Sequence, residues 1–303
     1  VSDEMGSALL RRIIGRRLAG LRKARGLTHE QAAQAIQKGR STIARIEEGR
    51  DGVRLRELDV RALLDLYGAS AEDSTLLLAL TGETWNGRKK SWWHDYTETT
   101  MPAFFGLYVS LEDSAERIKA YEVELVPGLL QTRAYAAQVH RVPEGYVDED
   151  ESQRRVEVRM ARQSLLTRPR APRLEVILNE AALQRMVGIG GHGVAAEQAQ
   201  RLIDASQQAN ISIRVVPFAH GLHGGMAAST PFTLLDFPRD PHSGEELEPT
   251  LAYVDTLTGA LYLQKPNEVS AYVLTWEDLD RRALNEDDSR KKVLSLLEGL
   301  RDA

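Results

Sequence analysis

Residues 27–49 read Leu-Thr-His-Glu-Gln-Ala-Ala-Gln-Ala-Ile-Gln-Lys-Gly-Arg-Ser-Thr-Ile-Ala-Arg-Ile-Glu-Glu-Gly, and this stretch decides how the first third of the chain folds. Thr28 followed by Gln31 is a capping-box pair that opens a helix through Ile36, with Ala32, Ala33 and Ile36 turned inward. A second short helix carries Ile43 and Ile46 inward and stops at Gly49. Two helices that cross closely need a small residue at the contact, which Ala33 supplies, and apolar residues that lock the crossing, which Ile36, Ile43 and Ile46 supply. What remains on the second helix is an outward face of Arg40, Ser41, Thr42 and Arg45. Ser41 and Arg45 lie four apart and share that face, with Arg40 beside them at the N-terminal end.

Helical spacing continues on both sides. Leu10, Ile14, Leu18 and Leu21 stripe a helix ended by Gly26; Leu58, Leu63 and Leu66 stripe another that closes at Gly68. Ser70 and Asp73 cap a fifth helix carrying Leu76 to Leu80. The expectation is an N-terminal all-α domain over 8–82. A polar linker over 83–104 contains Arg88-Lys89-Lys90 and Trp92-Trp93-His94-Asp95-Tyr96, whose aromatics are read as packing the linker against a domain. Residues 105–303 mix periods. Helices are expected over 109–121, 131–140, 149–166, 195–209, 266–284 and 288–300, and strands over 174–178, 211–215, 232–237, 251–255 and 260–263. Several strands in succession favour an α+β domain over a doubly wound one.

Charge divides the same way. The net charge of −5 hides 14 Lys and Arg against 6 Asp and Glu between Arg11 and Arg61, and 22 against 30 from Met101 onward. A basic head on an acidic body is the asymmetry of a nucleic-acid-binding module joined to a separate domain. Cysteine is absent, which excludes disulfides, thiolate nucleophiles and Cys-built zinc sites. No signal-peptide pattern opens the chain and the apolar run Leu76–Leu80 is too short to span a bilayer, so no membrane partner and a cytoplasmic location are expected.

Arginine on the outward face of the second helix suits base reading, because its planar fork can bond guanine O6 and N7 together, worth about 1–3 kcal/mol of discrimination per pair. His29 opens the preceding helix, where backbone N–H groups already favour a phosphate. Lys38, Arg50, Arg54 and Arg56 flank the reader and are expected to contact phosphates, giving affinity without sequence information.

These residues closely resemble the Cro/phage-repressor-like XRE family, whose recognition helix ends much as Arg45-Ile46-Glu47-Glu48-Gly49 does. The resemblance implies a lambda-repressor-like helix-turn-helix domain that reads double-stranded DNA. By position Arg40, Ser41 and Arg45 match the family's base readers, and His29 matches a polar residue that touches the DNA backbone. A homodimer on an inverted-repeat operator follows from the motif's geometry, since one recognition helix reads too few base pairs. The sequence departs from the family at the turn, where glycine usually stands at the position of Gln37 and here falls at Gly39. Either Gln37 adopts a positive φ, at a cost on the order of 1 kcal/mol, or the turn is rebuilt.

Residues 105–285 resemble a domain of unknown function found in actinobacterial XRE-type regulators and described as antitoxin-like. The resemblance rests on residues 121–132 (YEVELVPGLLQT), 215–218 (VVPF) and 253–259 (YVDTLTG). It implies a small partner protein encoded nearby. Two glycine-rich segments invite enzymatic readings. His220-Gly221-Leu222-His223-Gly224-Gly225 has two histidines three apart but no third ligand at a metal-binding spacing. Gly188-Ile189-Gly190-Gly191-His192-Gly193 lacks the Lys-Ser/Thr ending of a phosphate loop and follows a helix. Both are read as loops. Ser229 and Ser243 lack a nucleophile-elbow context. Glu122, Glu124 and Asp255 are read as solvated element ends before pocket groups, and Trp276 with Tyr272 as core. No catalytic residue, metal or cofactor is expected, so the chain is read as a regulator and not an enzyme. The rival readings are a small-molecule-binding or enzymatic body fused to the DNA-binding head.

Overall fold

The computed structural model describes residues 7–50, 54–86, 108–109, 111–142, 148–239, 248–256 and 259–302. The linker tryptophans Trp92 and Trp93, the basic triplet Arg88-Lys89-Lys90 and Ser243 lie outside them. The chain divides into two compact units. The first comprises 1–95 together with 106–114 and 238–248, and the second comprises 96–105, 115–237 and 249–303, so the division is not a single cut of the chain.

Among the described residues the first unit contains α1 (Ser7–Ala24), α2 (His29–Ala35), α3 (Arg40–Glu47), α4 (Glu57–Tyr67) and α5 (Ala71–Asn86). Its core is the stripe the sequence offers, with Leu10, Ile14, Leu18, Ala33, Ile43 and Ile46 all buried. On α4 the buried stripe is Val60, Leu63, Leu64 and Tyr67, whereas Leu58 is 79% exposed and Leu66 also faces outward. Leucine identity misled the sequence reading there; Val60, Leu63, Leu64 and Tyr67 follow the 3.6-residue period more closely. Glu248 joins this unit and its buried carboxylate pairs with Arg12 at 3.4 Å and Arg16 at 3.3 Å.

The second unit is built on a six-stranded sheet in the order β3-β2-β1-β4-β5-β6. The strands are β1 (Arg117–Glu122), β2 (Arg173–Asn179), β3 (Ile211–Val216), β4 (Phe232–Asp236), β5 (Leu251–Thr256) and β6 (Gly259–Leu263). β1, β2 and β3 run parallel, while β4, β5 and β6 continue from β1 as an antiparallel meander. Among the described residues the strands are accompanied by α6 (Arg133–His140), α7 (Glu149–Arg162), α8 (Glu180–Met186), α9 (Gly191–Ala205), α10 (Gly224–Ala228), α11 (Pro266–Arg282) and α12 (Glu286–Asp302). A helical head with a mixed sheet-and-helix body is the fold class expected from the sequence.

The helix expected over 109–121 is corrected: residues 111–113 are helical, but 117–122 form β1, the strand on which the sheet turns from parallel to antiparallel. Ala120 lies opposite Val176 on one side and Thr233 on the other. Its two-residue alternation lasts only from Ile118 to Tyr121 and abuts a helical turn, so the two periods overlap in the sequence. One sheet face carries Tyr121, Ile177, Phe232, Leu234, Ala252 and Val254 against Trp276 and Leu279 of α11. By alternation Ile118, Ala120, Leu174, Val176 and Leu178 bury themselves on the other face.

Candidate nucleic-acid interface

The turn between α2 and α3 sets the angle at which α3 is presented. Thr28 Oγ1 accepts from Gln31 N at 3.3 Å and Thr28 N donates to Gln31 Oε1 at 2.8 Å, completing the capping box. At the other end of α2, Lys38 N donates to Ala33 O at 3.0 Å and Gln37 N to Gln34 O at 3.2 Å, a Schellman closure. That closure needs a left-handed residue, and Gln37 supplies it at φ 53°. Gly39 does not take over the role: it is the N-cap of α3 with φ −75° and ψ 150°, a conformation open to any residue. Of the two alternatives left by the sequence, the chain takes the strained one. α3 ends on the same motif at Gly49, whose φ is 62°, with Arg50 N donating to Arg45 O at 3.0 Å.

α3 then shows the face its spacing demands. Ile43 and Ile46 are buried; Arg40, Ser41 and Arg45 are exposed, and Thr42 is half-buried on the flank. Arg40, Arg45, Lys38 and Arg56 are exposed and form no ion pair among the described residues. Arg54 is exposed as well. Arg50 pairs with Glu48 at 2.5 Å, both side chains more than half exposed. Such a pair is worth about 0–1 kcal/mol, little enough for a phosphate to replace it. His29 Nε2 lies 3.0 Å from Glu47 Oε2 and 3.1 Å from Arg22 Nη2.

The residues that hold α3 in place were not singled out by sequence reasoning. Arg22, on α1, donates through Nε to Glu47 Oε1 at 2.6 Å, through Nη2 to Glu47 Oε2 at 2.8 Å, and through Nη1 to Leu27 O at 2.6 Å. The two side chains are 9% and 7% exposed, so a bidentate ion pair fastens the last turn of α3 to α1 and to the start of α2. Hydrogen bonding to Glu47 holds the Arg22 guanidinium above its ordinary pKa. Beside them the backbones of α1 and α3 touch. A Cβ on Gly15 would stand 2.2 Å from Ile46 O, so only glycine permits the crossing. A signal for both residues exists in the sequence: Arg22 falls where the series Ile14, Leu18 calls for an apolar residue, and Gly15 interrupts a helix interior.

In the second unit, His220 is exposed whereas His223 is buried, and no group of three or more His, Asp or Glu among the described residues is placed to hold a metal ion. Gly190, at φ 73°, is the N-cap of α9 in a turn that follows α8, and Ser229 ends α10. Glu124 is exposed and pairs with Arg185. Glu122 is half-buried at the end of β1, whereas Asp255 is exposed. Burial pushes the Glu122 carboxyl up to about 8 against the pull of Arg159 and Arg162, and the Asp255 carboxyl is raised by the same cause. Trp276 is core and Tyr272 packs on Phe232 at 5.1 Å between ring centres. No helix of the described residues is long and apolar enough to cross a membrane.

Comparison with known families matches two separate stretches of the chain. The family model described as a helix-turn-helix domain matches residues 13–77, which contain α2, α3 and the groups that hold them. The model described as Domain of unknown function (DUF5753) matches residues 105–295. No curated protein and no solved structure matches the chain. The helix-turn-helix match and the geometry of α3 together make the head a DNA-binding module. With well over half of its length matched by the second model, the chain belongs to the DUF5753 family.

Proposed function

We propose that the chain is a sequence-specific transcription regulator of the XRE kind that reads double-stranded DNA with α3. Arg40, Ser41, Thr42 and Arg45 face the bases, and His29, Lys38, Arg50, Arg54 and Arg56 face the phosphates. The observation that carries this reading is the exposed pair Arg40 and Arg45, without an ion pair among the described residues, on a helix whose far end is fixed by Arg22 and Glu47. Side chains reserved for a ligand on a rigid support are what base reading requires. His29 contributes through its remaining ring nitrogen while Nε2 stays in the Arg22–Glu47 network.

The chain works as a homodimer on an inverted repeat, because two recognition helices about 34–36 Å apart match one turn of duplex. Its ligand places its work where the chromosome lies, the cytoplasm of an actinobacterial cell. The body is a receiver and not an enzyme: it takes either a small, antitoxin-like partner protein encoded nearby or a small effector. The effector reading is favoured by a cavity in the second unit.

Selection of bound duplexes from a random pool tests the assignment. It should return an inverted repeat with half-site centres about 10 bp apart, and affinity for it should fall steeply as salt rises. Recovery of random sequence with no enrichment would remove sequence-specific regulation from the account.

A further inference from the structure

β1 and β5 end at the same level of the sheet, and each end carries a carboxyl. Ala120 lies opposite Thr233, and Thr233 opposite Tyr253. Glu122 and Asp255, each two residues further along, therefore share one face, with the line of β4 between them. Two strand spacings put about 10 Å between their backbones. α7 brings two guanidiniums to the same place, since Arg159 and Arg162 both pull on the Glu122 and Asp255 carboxyls. Open sheets containing parallel strands take ligands beyond the carboxyl ends of those strands.

The support for Arg159 is fixed in advance. Gln131, only 2% exposed, donates through Nε2 to Val126 O at 2.7 Å and accepts from Arg159 Nη1 at 2.5 Å. Gln163 Nε2 donates to Gln131 O at 2.7 Å and to Gly128 O at 3.1 Å. The loop 126–131 is thereby fastened to the end of α7, and the Arg159 guanidinium is oriented by it.

The groups so placed stay open. Glu122 forms no hydrogen bond and no ion pair among the described residues, and Arg159 bonds there to Gln131 alone. Both residues are half-buried, yet neither the Glu122 oxygens nor Arg159 Nε and Nη2 are among the unbonded atoms sealed from solvent. With Nη1 taken by Gln131, the edge left on Arg159 is its Nε–Nη2 fork, which grips a carboxylate through two parallel hydrogen bonds. Arg22 holds Glu47 by the same edge.

The surrounding charges select the other half of a ligand. Tyr135 also faces Glu122 and Arg159, and His140, pushed down to about 3 by burial and by Arg159, adds no charge. Two carboxyls thus stand against two guanidiniums, a balance that a ligand of either sign alone would upset. Arg159, lowered to about 10, remains a cation at pH 7. Glu122, raised to about 8, is then about nine-tenths protonated, and a cation placed beside it would drive that proton off.

We propose that the ends of β1 and β5 form, with α7, a site for a small zwitterionic amino acid, its carboxylate on the Arg159 fork and its ammonium between Glu122 and Asp255. The assignment goes beyond the effector reading, whose cavity opens beside Tyr121 on the other face of the sheet, and does not depend on the head reading DNA.

The test is isothermal titration calorimetry on the full chain at pH 7. The probes are glycine, β-alanine, γ-aminobutyrate and 5-aminopentanoate, which space the two charges differently, with propionate and propylamine carrying one charge each. At least one zwitterion should bind at least about tenfold more tightly than either single-charge probe. Repeated in buffers of different ionisation enthalpy, its binding should release a proton from the unsubstituted chain and none from Glu122→Gln. Arg159→Lys, which keeps the charge but loses the fork, and Glu122→Gln should each weaken that zwitterion at least about tenfold. Arg154→Lys, at an exposed position of the same helix, should leave it unchanged. The proposal is overturned if no zwitterion binds, if propionate or propylamine binds as tightly as the best one, if no proton is released, or if folded Arg159→Lys or Glu122→Gln binds undiminished. Should either variant fail to fold, the probe comparison and the proton release on the unsubstituted chain still decide it. Duplex binding measured on the same samples reports on the head separately.

Discussion

Replacing Arg22 by Met should loosen the reading helix without touching its reading face. The substitution keeps most of the side chain's length but removes two hydrogen bonds to Glu47 and one to Leu27 O. Both partners are more than nine-tenths buried, so Glu47 would be left as a charge without its counter-ion in the interior. Breaking a buried pair in this way costs about 3–5 kcal/mol. The chain has two units and no single unfolding free energy describes it, so the proper readout is amide hydrogen exchange over 40–47. Exchange there should quicken by about two to four orders of magnitude in Arg22→Met. The double variant Arg22→Met/Glu47→Leu, which removes both charges, should recover most of that loss, to within about 1–2 kcal/mol of the parent. If the single variant changes exchange by less than about 1 kcal/mol, the pair is not what anchors α3.

Three further outcomes follow from the same geometry. Gln37→Gly should stabilise the head by about 0.5–1 kcal/mol in denaturant melts, because the left-handed φ of 53° strains a residue with a Cβ; a loss of stability would contradict the strained turn. Gly15→Ala should push α3 from α1 and lower duplex affinity more than Gly20→Ala, whose Cβ would meet nothing within 4 Å; equal effects in a binding titration would refute the close crossing. Asp278 is held below its ordinary carboxylate pKa, first by the Gly224 N–H and then by Arg282. Its contribution is therefore present above the unfolded value near 3.8 and is lost as pH falls through the lower folded value. Exchange at Gly224 should rise on acidification over that range, and Asp278→Asn should flatten the rise.

Much of this fold was legible because single periods ran long enough to declare themselves. Ile14, Leu18, Ile43 and Ile46 fixed the head, and the alternations at 174–178 and 211–215 fixed two of the parallel strands. β1 escaped because its alternation is short and lies against a helical turn, although it is the strand on which the sheet changes direction. The outward face of α3 was readable from spacing alone. Its support was not, since Arg22 and Glu47 are 25 residues apart and only the fold brings them together. His223 was weighed for metal binding, where its spacing from His220 is uninformative. The structure buries it with Nε2 3.4 Å from Asn179 Nδ2, a contact that no local pattern records.

The most direct test of the central claim is a pair of titrations with Arg40→Ala and Arg45→Ala, each against the selected duplex and against an unrelated duplex. Both side chains are exposed and form no ion pair among the described residues, so both variants should keep the parent's melting temperature. Each should lose about 1–3 kcal/mol of discrimination between the two duplexes, roughly 5- to 150-fold, while binding to the unrelated duplex falls much less. Discrimination undiminished in both variants would contradict the account and take α3 off the bases.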